Sequence, residues 1–355
     1  MKHKNILITG GAGFVGSNLA IKLKTDYPEA EITCLDNLKR RGSELTLARL
    51  REAGISFVHG DIRSPEDLEF SNIDLVLECS AEPSVLAGIH SSPNYLLNTN
   101  LVGTINCLEL VRKNKADILF LSTSRVYPIE YINSLAFKES KTRFDISDEQ
   151  KLPGASSQGI AEDFPLDKPR SLYGATKLAS ELLVMEYADT YGIGSIIDRC
   201  GVITGPWQMG KVDQGVFVLW VAKHYFKQEL SYIGYGGQGK QVRDFIHIDD
   251  LYSAIKLQLE NFNEYSHGTF NIGGGLSNSV SLQELTKLCQ DVTGNTIEIK
   301  SVVEDRQADL RFFITDSSKF LEKSGLKWQK DAKATVTDIY NWIKQNESAL
   351  KPILS

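Results

Sequence analysis

Near the amino terminus an apolar run, Ile6-Leu7-Ile8, passes through Thr9 straight into Gly10-Gly11-Ala12-Gly13-Phe14-Val15-Gly16, after which Leu19, Ala20 and Leu23 recur at helical spacing. Few folds accommodate a strand that feeds a glycine-rich turn and then a helix. The glycines let the backbone turn tightly and approach a diphosphate, and the helix start offers unpaired N–H groups and the positive end of its dipole. Asp36, twenty residues past Gly16 at the end of the next apolar run, is placed to accept hydrogen bonds from both hydroxyls of a ribose. Together these features predict a βαβ unit that binds a dinucleotide through Gly10, Gly13, Phe14, Val15, Gly16 and Asp36. The Asp36 carboxylate would repel a 2'-phosphate, which favours NAD. Arg40 and Arg41 come soon after, however, and would neutralise the extra phosphate of NADP if they point inward.

The same letters recur at Gly234-Tyr235-Gly236-Gly237-Gln238-Gly239, but there they lead into Arg243-Asp244-Phe245-Ile246-His247, which reads as a strand. A turn is expected at that place.

Further short apolar runs occur at Glu31 to Leu35, Phe57-Val58, Leu75-Val76-Leu77, Ile118 to Leu121 and Ser195 to Ile197, separated by longer helical stretches. Nearly continuous apolar strands suit a parallel sheet buried on both faces. The expected fold is α/β: a doubly wound parallel sheet of the Rossmann kind over residues 1–200, with later segments returning to it, and a smaller α/β lobe over 201–355. Between Pro128 and Arg170 the periodicity fails and the chain turns polar, as in a functional loop or lid.

A formal charge of -6 with scattered Lys and Arg lacks the basic footprint that nucleic-acid binding needs. No window approaches the ~18 consecutive apolar residues of a membrane span, and Met1-Lys2-His3-Lys4 leads into an apolar run too short for a signal sequence. A cytoplasmic protein without membrane or nucleic-acid partners is expected. The five cysteines, Cys34, Cys79, Cys107, Cys200 and Cys289, are far apart and have no His at ligand spacing, so neither a metal site nor a disulfide framework is expected.

Chemistry is carried by Tyr173-Gly174-Ala175-Thr176-Lys177, which sets a phenol and an ammonium on one helical face. A free phenol titrates near ~10, so a neighbouring cation is needed for it to act as a base near neutrality. The spacing recurs at Tyr252 with Lys256 and at Tyr340 with Lys344, in late amphipathic stretches that read as helix surface. Only Tyr173 comes after a strand that ends in hydroxyl residues, Ser122-Thr123-Ser124. Thr123 would lie at the mouth of the fifth strand, where open parallel sheets bind ligands, and its hydroxyl could relay a proton to Tyr173.

These residues, Gly10 to Gly16, Asp61-Ile62, Thr123 with Val126-Tyr127, and Tyr173 with Lys177, resemble the nucleotide-sugar epimerases and dehydratases of the extended short-chain dehydrogenase/reductase family along essentially the whole chain. Ser122 to Tyr127, Arg170 to Lys177, Arg199 to Gln208 and Lys211 to Phe217 look like the CDP-tyvelose (CDP-paratose) 2-epimerases within that family. The resemblance implies catalysis by Thr123, Tyr173 and Lys177. It adds Asn37, Asp61, Ile62, Ala81, Asn100 and Cys200 to the NAD contacts, and Glu82, Ser84, Arg125 and Val202 around the sugar. It puts Arg243 and Arg306 at the pyrophosphate, Asp309 at the nucleotide ribose, and Tyr232 and Tyr235 beside the base.

The family's dehydratases carry an Asp-Glu pair directly after the catalytic Thr; in this chain Ser124 and Arg125 stand there, and neither can eliminate water. Many 4-epimerases carry Asn where this chain has Val202, which suits a deoxygenated sugar. The implied activity is inversion at C2 of a CDP-3,6-dideoxyhexose, CDP-paratose to CDP-tyvelose, by an enzyme that retains its NAD. A UDP-hexose 4-epimerase stays open beside it, as does a non-catalytic NAD-binding sensor or scaffold, although the latter would not need Thr123, Tyr173 and Lys177 together. The family also implies a dimer or tetramer, formed through the helix near Pro93 and the helix carrying Tyr173.

Overall fold

The structure, a computed structural model, describes every residue except His90, Lys211, Val212, Asp213 and Gln307. The stretch Lys211 to Phe217 that entered the resemblance therefore begins outside the described residues. Two compact units are present. The first comprises Met1–Val126, Leu172–Arg199 and Tyr252–Phe270; the second comprises Tyr127–Ser171, Cys200–Leu251 and Asn271–Ser355.

The main sheet has seven strands: β1 Asn5–Thr9, β2 Glu31–Asp36, β3 Ser56–His59, β4 Leu75–Glu78, β5 Asp117–Thr123, β6 Ser195–Cys200 and β7 Gly268–Ile272. Their spatial order is β7-β6-β5-β4-β1-β2-β3, and the pairings from β3 across to β5 are parallel. Strand order therefore reverses between β1 and β4, which opens a crevice beyond their carboxyl ends.

Helix α1 (Phe14–Asp26) buries Leu19, Ala20 and Leu23, the positions that its periodicity marks. Helices α2 (Gly103–Asn114) and α3 (Leu172–Tyr191) contribute Cys107, Leu108, Val111 and Val184 to a core shared with Leu7, Val76, Ile118 and Phe120 of the sheet. Each such side chain contributes roughly 1.5–3 kcal/mol by leaving water. The sheet's floor is thus rigid where the crevice opens.

The second unit holds a four-stranded sheet of Val202–Thr204, Val242–His247, Ser279–Ser281 and Phe312–Phe313, and a pair formed by Leu230–Ile233 and Ile299–Val302. Residues 127–171, counted by sequence with the first domain, cluster here instead. They form a short helix, Ile129–Ser134, and two small hairpins. They are tied down by nonlocal bonds: Ile160 N–H donates to the Ile314 carbonyl at 2.9 Å, and Arg143 donates to the Ser279 carbonyl at 3.2 Å. This is packed structure and not a free loop.

Tyr252, read as helix surface, is buried. Its hydroxyl donates to Asp26 at 2.7 Å, because a buried phenol needs a polar partner. All five cysteines are free thiols. Among the described residues, no helix is long and apolar enough to cross a membrane, and no three His, Cys, Asp or Glu side chains gather as metal ligands would.

Candidate active site

The turn after β1 is closed by its own backbone. Gly10 takes φ +64°, the Gly13 N–H donates to the Gly10 carbonyl at 3.0 Å, and Gly13 in extended conformation caps α1 with no side chain over its first N–H groups. A Cβ on Gly16 would overlap the Gly10 carbonyl oxygen, and one on Gly11 would overlap Cys34. Phe14, Val15 and Gly16 form the first turn of α1. This leaves a bare cradle of the shape a diphosphate needs.

Asp36 ends β2, where its carboxylate accepts from the Ala12 N–H at 3.1 Å and the Leu38 N–H at 2.8 Å. Burial pushes the Asp36 carboxyl above its ordinary range against the pull of those donors. Asn37 donates to Asp61 at 2.9 Å. Arg63 grips Asp61 with two N–H groups, and this cation holds the Asp61 carboxyl down at about 2. Ile62 is buried against Gly103, the first residue of α2.

After β4 the chain runs through Ala81 to Glu82 and Ser84. Asn100 clamps it there: its amide accepts from the Glu82 N–H at 2.8 Å and donates to the Glu82 carbonyl at 3.0 Å. Glu82 in turn accepts from the Ser84 N–H at 3.2 Å. Asn100 lies in a π-helical turn, Asn98–Val102, and its carbonyl accepts from the hydroxyls of Thr104 and Ser180, both at 2.9 Å.

Thr123 closes β5 and is almost wholly buried; its hydroxyl accepts from the Arg125 N–H at 3.2 Å. Tyr173 and Lys177 lie one turn apart near the start of α3, 9% and 2% exposed. Lys177 Nζ stands 3.9 Å above the Phe120 ring and 3.6 Å from Glu78 Oε2, a fully buried carboxylate at the end of β4. Glu78 escaped the sequence reading, although an acid closing an apolar run was its signal. Behind α3, Glu181 takes the Arg199 guanidinium through two N–H groups and the Ser122 hydroxyl. That buried network fixes the helix against β5 and β6.

In the second unit, Arg243 donates to Asp309 at 3.0 Å and to the carbonyls of Val242 and Leu310. The Tyr235 hydroxyl donates to the Asp309 carbonyl at 3.3 Å, and the Asp309 N–H donates to the Arg306 carbonyl at 3.3 Å. Tyr235, Arg243, Arg306 and Asp309 therefore lie together in this unit. Tyr232 turns elsewhere, its hydroxyl on Thr286 at 2.8 Å and its ring under Gly239. Val202 pairs with Phe245 in the sheet of this unit, and Cys200, the last residue of β6, also clusters with this unit.

A family model described as the NAD dependent epimerase/dehydratase family matches residues 6–273. The CDP-paratose 2-epimerase of Salmonella typhi is 31% identical, over 95% of this chain and 98% of that protein. A dTDP-glucose 4,6-dehydratase of Mycobacterium tuberculosis is 26% identical, over 98% of this chain and 96% of that one. Among solved structures, a double mutant of the dTDP-glucose 4,6-dehydratase DesIV from Streptomyces venezuelae, with NAD bound, superposes with TM-score 0.79 at 26% identity, covering 98% of this chain and 99% of that one.

Proposed function

The chain belongs to the NAD dependent epimerase/dehydratase family, and from that premise we propose that it inverts C2 of a CDP-3,6-dideoxyhexose, converting CDP-paratose to CDP-tyvelose. The observation that carries this reading is the edge of β5 and α3. Thr123, Tyr173 and Lys177 supply hydroxyl, phenol and ammonium, while Ser124 and Arg125 replace the acid and base that dehydration would need. The 31% identity to a CDP-paratose 2-epimerase along nearly the whole chain supports the sugar.

The fit to NAD rests on the bare glycine cradle and on Asp36 at the ribose position. NAD held there would supply a reversible hydride acceptor for the hydrogen at C2. Tyr173 removes the proton from the sugar hydroxyl and later restores it, with the Lys177 ammonium lowering the cost of the phenolate. Thr123 holds the sugar oxygen and passes the proton.

Gly10, Gly13, Phe14, Val15 and Gly16 cradle the diphosphate, and Asp36, Asn37, Asp61 and Ile62 hold the adenosine end. Ala81, Asn100 and Cys200 serve the nicotinamide end. Glu82, Ser84, Arg125 and Val202 shape the sugar site. Arg243 and Arg306 anchor the pyrophosphate, Asp309 the ribose and Tyr235 the base, so the sugar can turn while the nucleotide stays. The protein works as a dimer or tetramer: α3 leaves Leu182, Met185 and Tyr191 exposed along its length, an apolar strip suited to a second copy.

The test is to incubate the purified protein, without added cofactor, with CDP-paratose and with UDP-glucose, and to follow each sugar by proton NMR. Inversion at C2 of the CDP sugar is expected. Inversion of UDP-glucose alone, at C4, would replace this reading with a 4-epimerase.

A further inference from the structure

Glu78 ends β4, and its register partner in β5 is Phe120. Neighbouring side chains on paired parallel strands leave the sheet on the same face. Lys177 descends from α3 onto that face, above the Phe120 ring and against Glu78 Oε2. Glu78 Oε1 accepts from the Ser80 N–H at 3.1 Å and from the Thr9 hydroxyl at 3.5 Å, whereas Oε2 faces the ammonium with no hydrogen-bond partner among the described residues. A fully buried carboxylate is costly unless its charge is answered. Another apolar residue after Leu75-Val76-Leu77 would avoid that cost, and the proposed reaction assigns Glu78 no step.

We propose that Glu78 is a positioning residue: its carboxylate is the built-in counter-charge that holds the buried Lys177 ammonium in place for its work beside Tyr173 and the cofactor. The inference rests on the reading of Tyr173 and Lys177 as cofactor-facing groups. Burial raises the Glu78 carboxyl above its ordinary range, and the Lys177 ammonium pulls against that rise. The other titratable groups around the pair are accounted for. Tyr173 stands one turn before Lys177, and Glu181, one turn after it, is committed to Arg199 and Ser122. Cys79 and Cys107 feel both charges, but burial raises both thiols well above their usual range and leaves them neutral. Among the described residues, Glu78 is the carboxylate left to balance Lys177.

Glu78→Gln keeps the size and the Ser80 bond while removing the charge. We would measure equilibrium NAD binding to the full-length protein, stripped of cofactor, by tryptophan fluorescence from about pH 6 to about pH 10. Wild-type affinity should hold over most of that range. Glu78→Gln should bind comparably at the acid end and lose on the order of tenfold toward the alkaline end, because no carboxylate then faces the buried ammonium. Glu78→Asp retains the charge and should hold affinity further into alkali; it carries the test alone if the Gln variant does not fold. A Gln variant that tracks wild type throughout overturns the proposal. Equal weakening at every pH in both variants also overturns it, by showing a merely structural role. Lys177→Met should bind weakly at every pH; if it binds NAD like wild type, the underlying reading of Tyr173 and Lys177 fails instead.

Discussion

Gly10 to Gly16 and Gly234 to Gly239 spell the same pattern and do opposite things. In the first, only Gly10 takes a left-handed conformation, Gly13 caps a helix, and Gly16 is excluded from carrying a side chain by the backbone beside it. In the second, Gly234, Tyr235, Gly236, Gly237 and Gly239 all have positive φ, and the chain turns into the strand Val242–His247. Each loop has a backbone N–H held by a carboxylate: Ala12 by Asp36 in the first, Tyr235 by Asp305 at 2.6 Å in the second. The glycines signal backbone freedom alone. The next element, helix or strand, decides whether that freedom exposes a helix start to a phosphate or closes a turn.

The largest expected separation between the loops comes from Gly16→Val. Its branched side chain has no room beside the Gly10 carbonyl, so we expect at least ~3 kcal/mol of destabilisation and loss of NAD from the purified protein, read by melting and by the nucleotide released on denaturation. Smaller, and sharper as a comparison, is Asp36→Ala set against Asp305→Ala. Each removes a carboxylate from a backbone donor, at about 1–3 kcal/mol. Only the first should weaken NAD binding, on the order of tenfold or more, in a fluorescence titration; equal effects on NAD would erase the distinction between the loops. The smallest effect belongs to Gly236→Ala. Open space surrounds its position, so the left-handed backbone alone costs about 1–2 kcal/mol, and retained NAD should be unchanged.

The main sheet is legible in the sequence because its central strands are buried on both faces and therefore read as apolar runs, from Ile6-Leu7-Ile8 to Ser195-Ile196-Ile197. The glycine turn is legible because its neighbours on both sides declare strand and helix. Residues 127–171 are not, since what orders them is pairing with distant backbone such as Ile314, and a local pattern carries no trace of such bonds. Tyr252 misleads for the same reason: Asp26, its partner, is remote in sequence. Glu78 shows a different limit. The apolar run before it draws attention to the strand, and the acid becomes informative only once Lys177 stands over it. The π-helical turn that holds Asn100 has no residue signature at all.

Central to the proposed reaction is that the hydrogen leaving C2 would return to the same carbon without exchange with solvent, as a retained NAD would allow. CDP-paratose carrying deuterium at C2, incubated with the protein in ordinary water and followed by NMR, tests this directly. The predicted product is CDP-tyvelose that keeps its deuterium at C2. Product with that deuterium replaced by solvent hydrogen would mean that the carbon is deprotonated to water, and would contradict the roles of the Gly10 to Gly16 cradle and Tyr173 in hydride transfer.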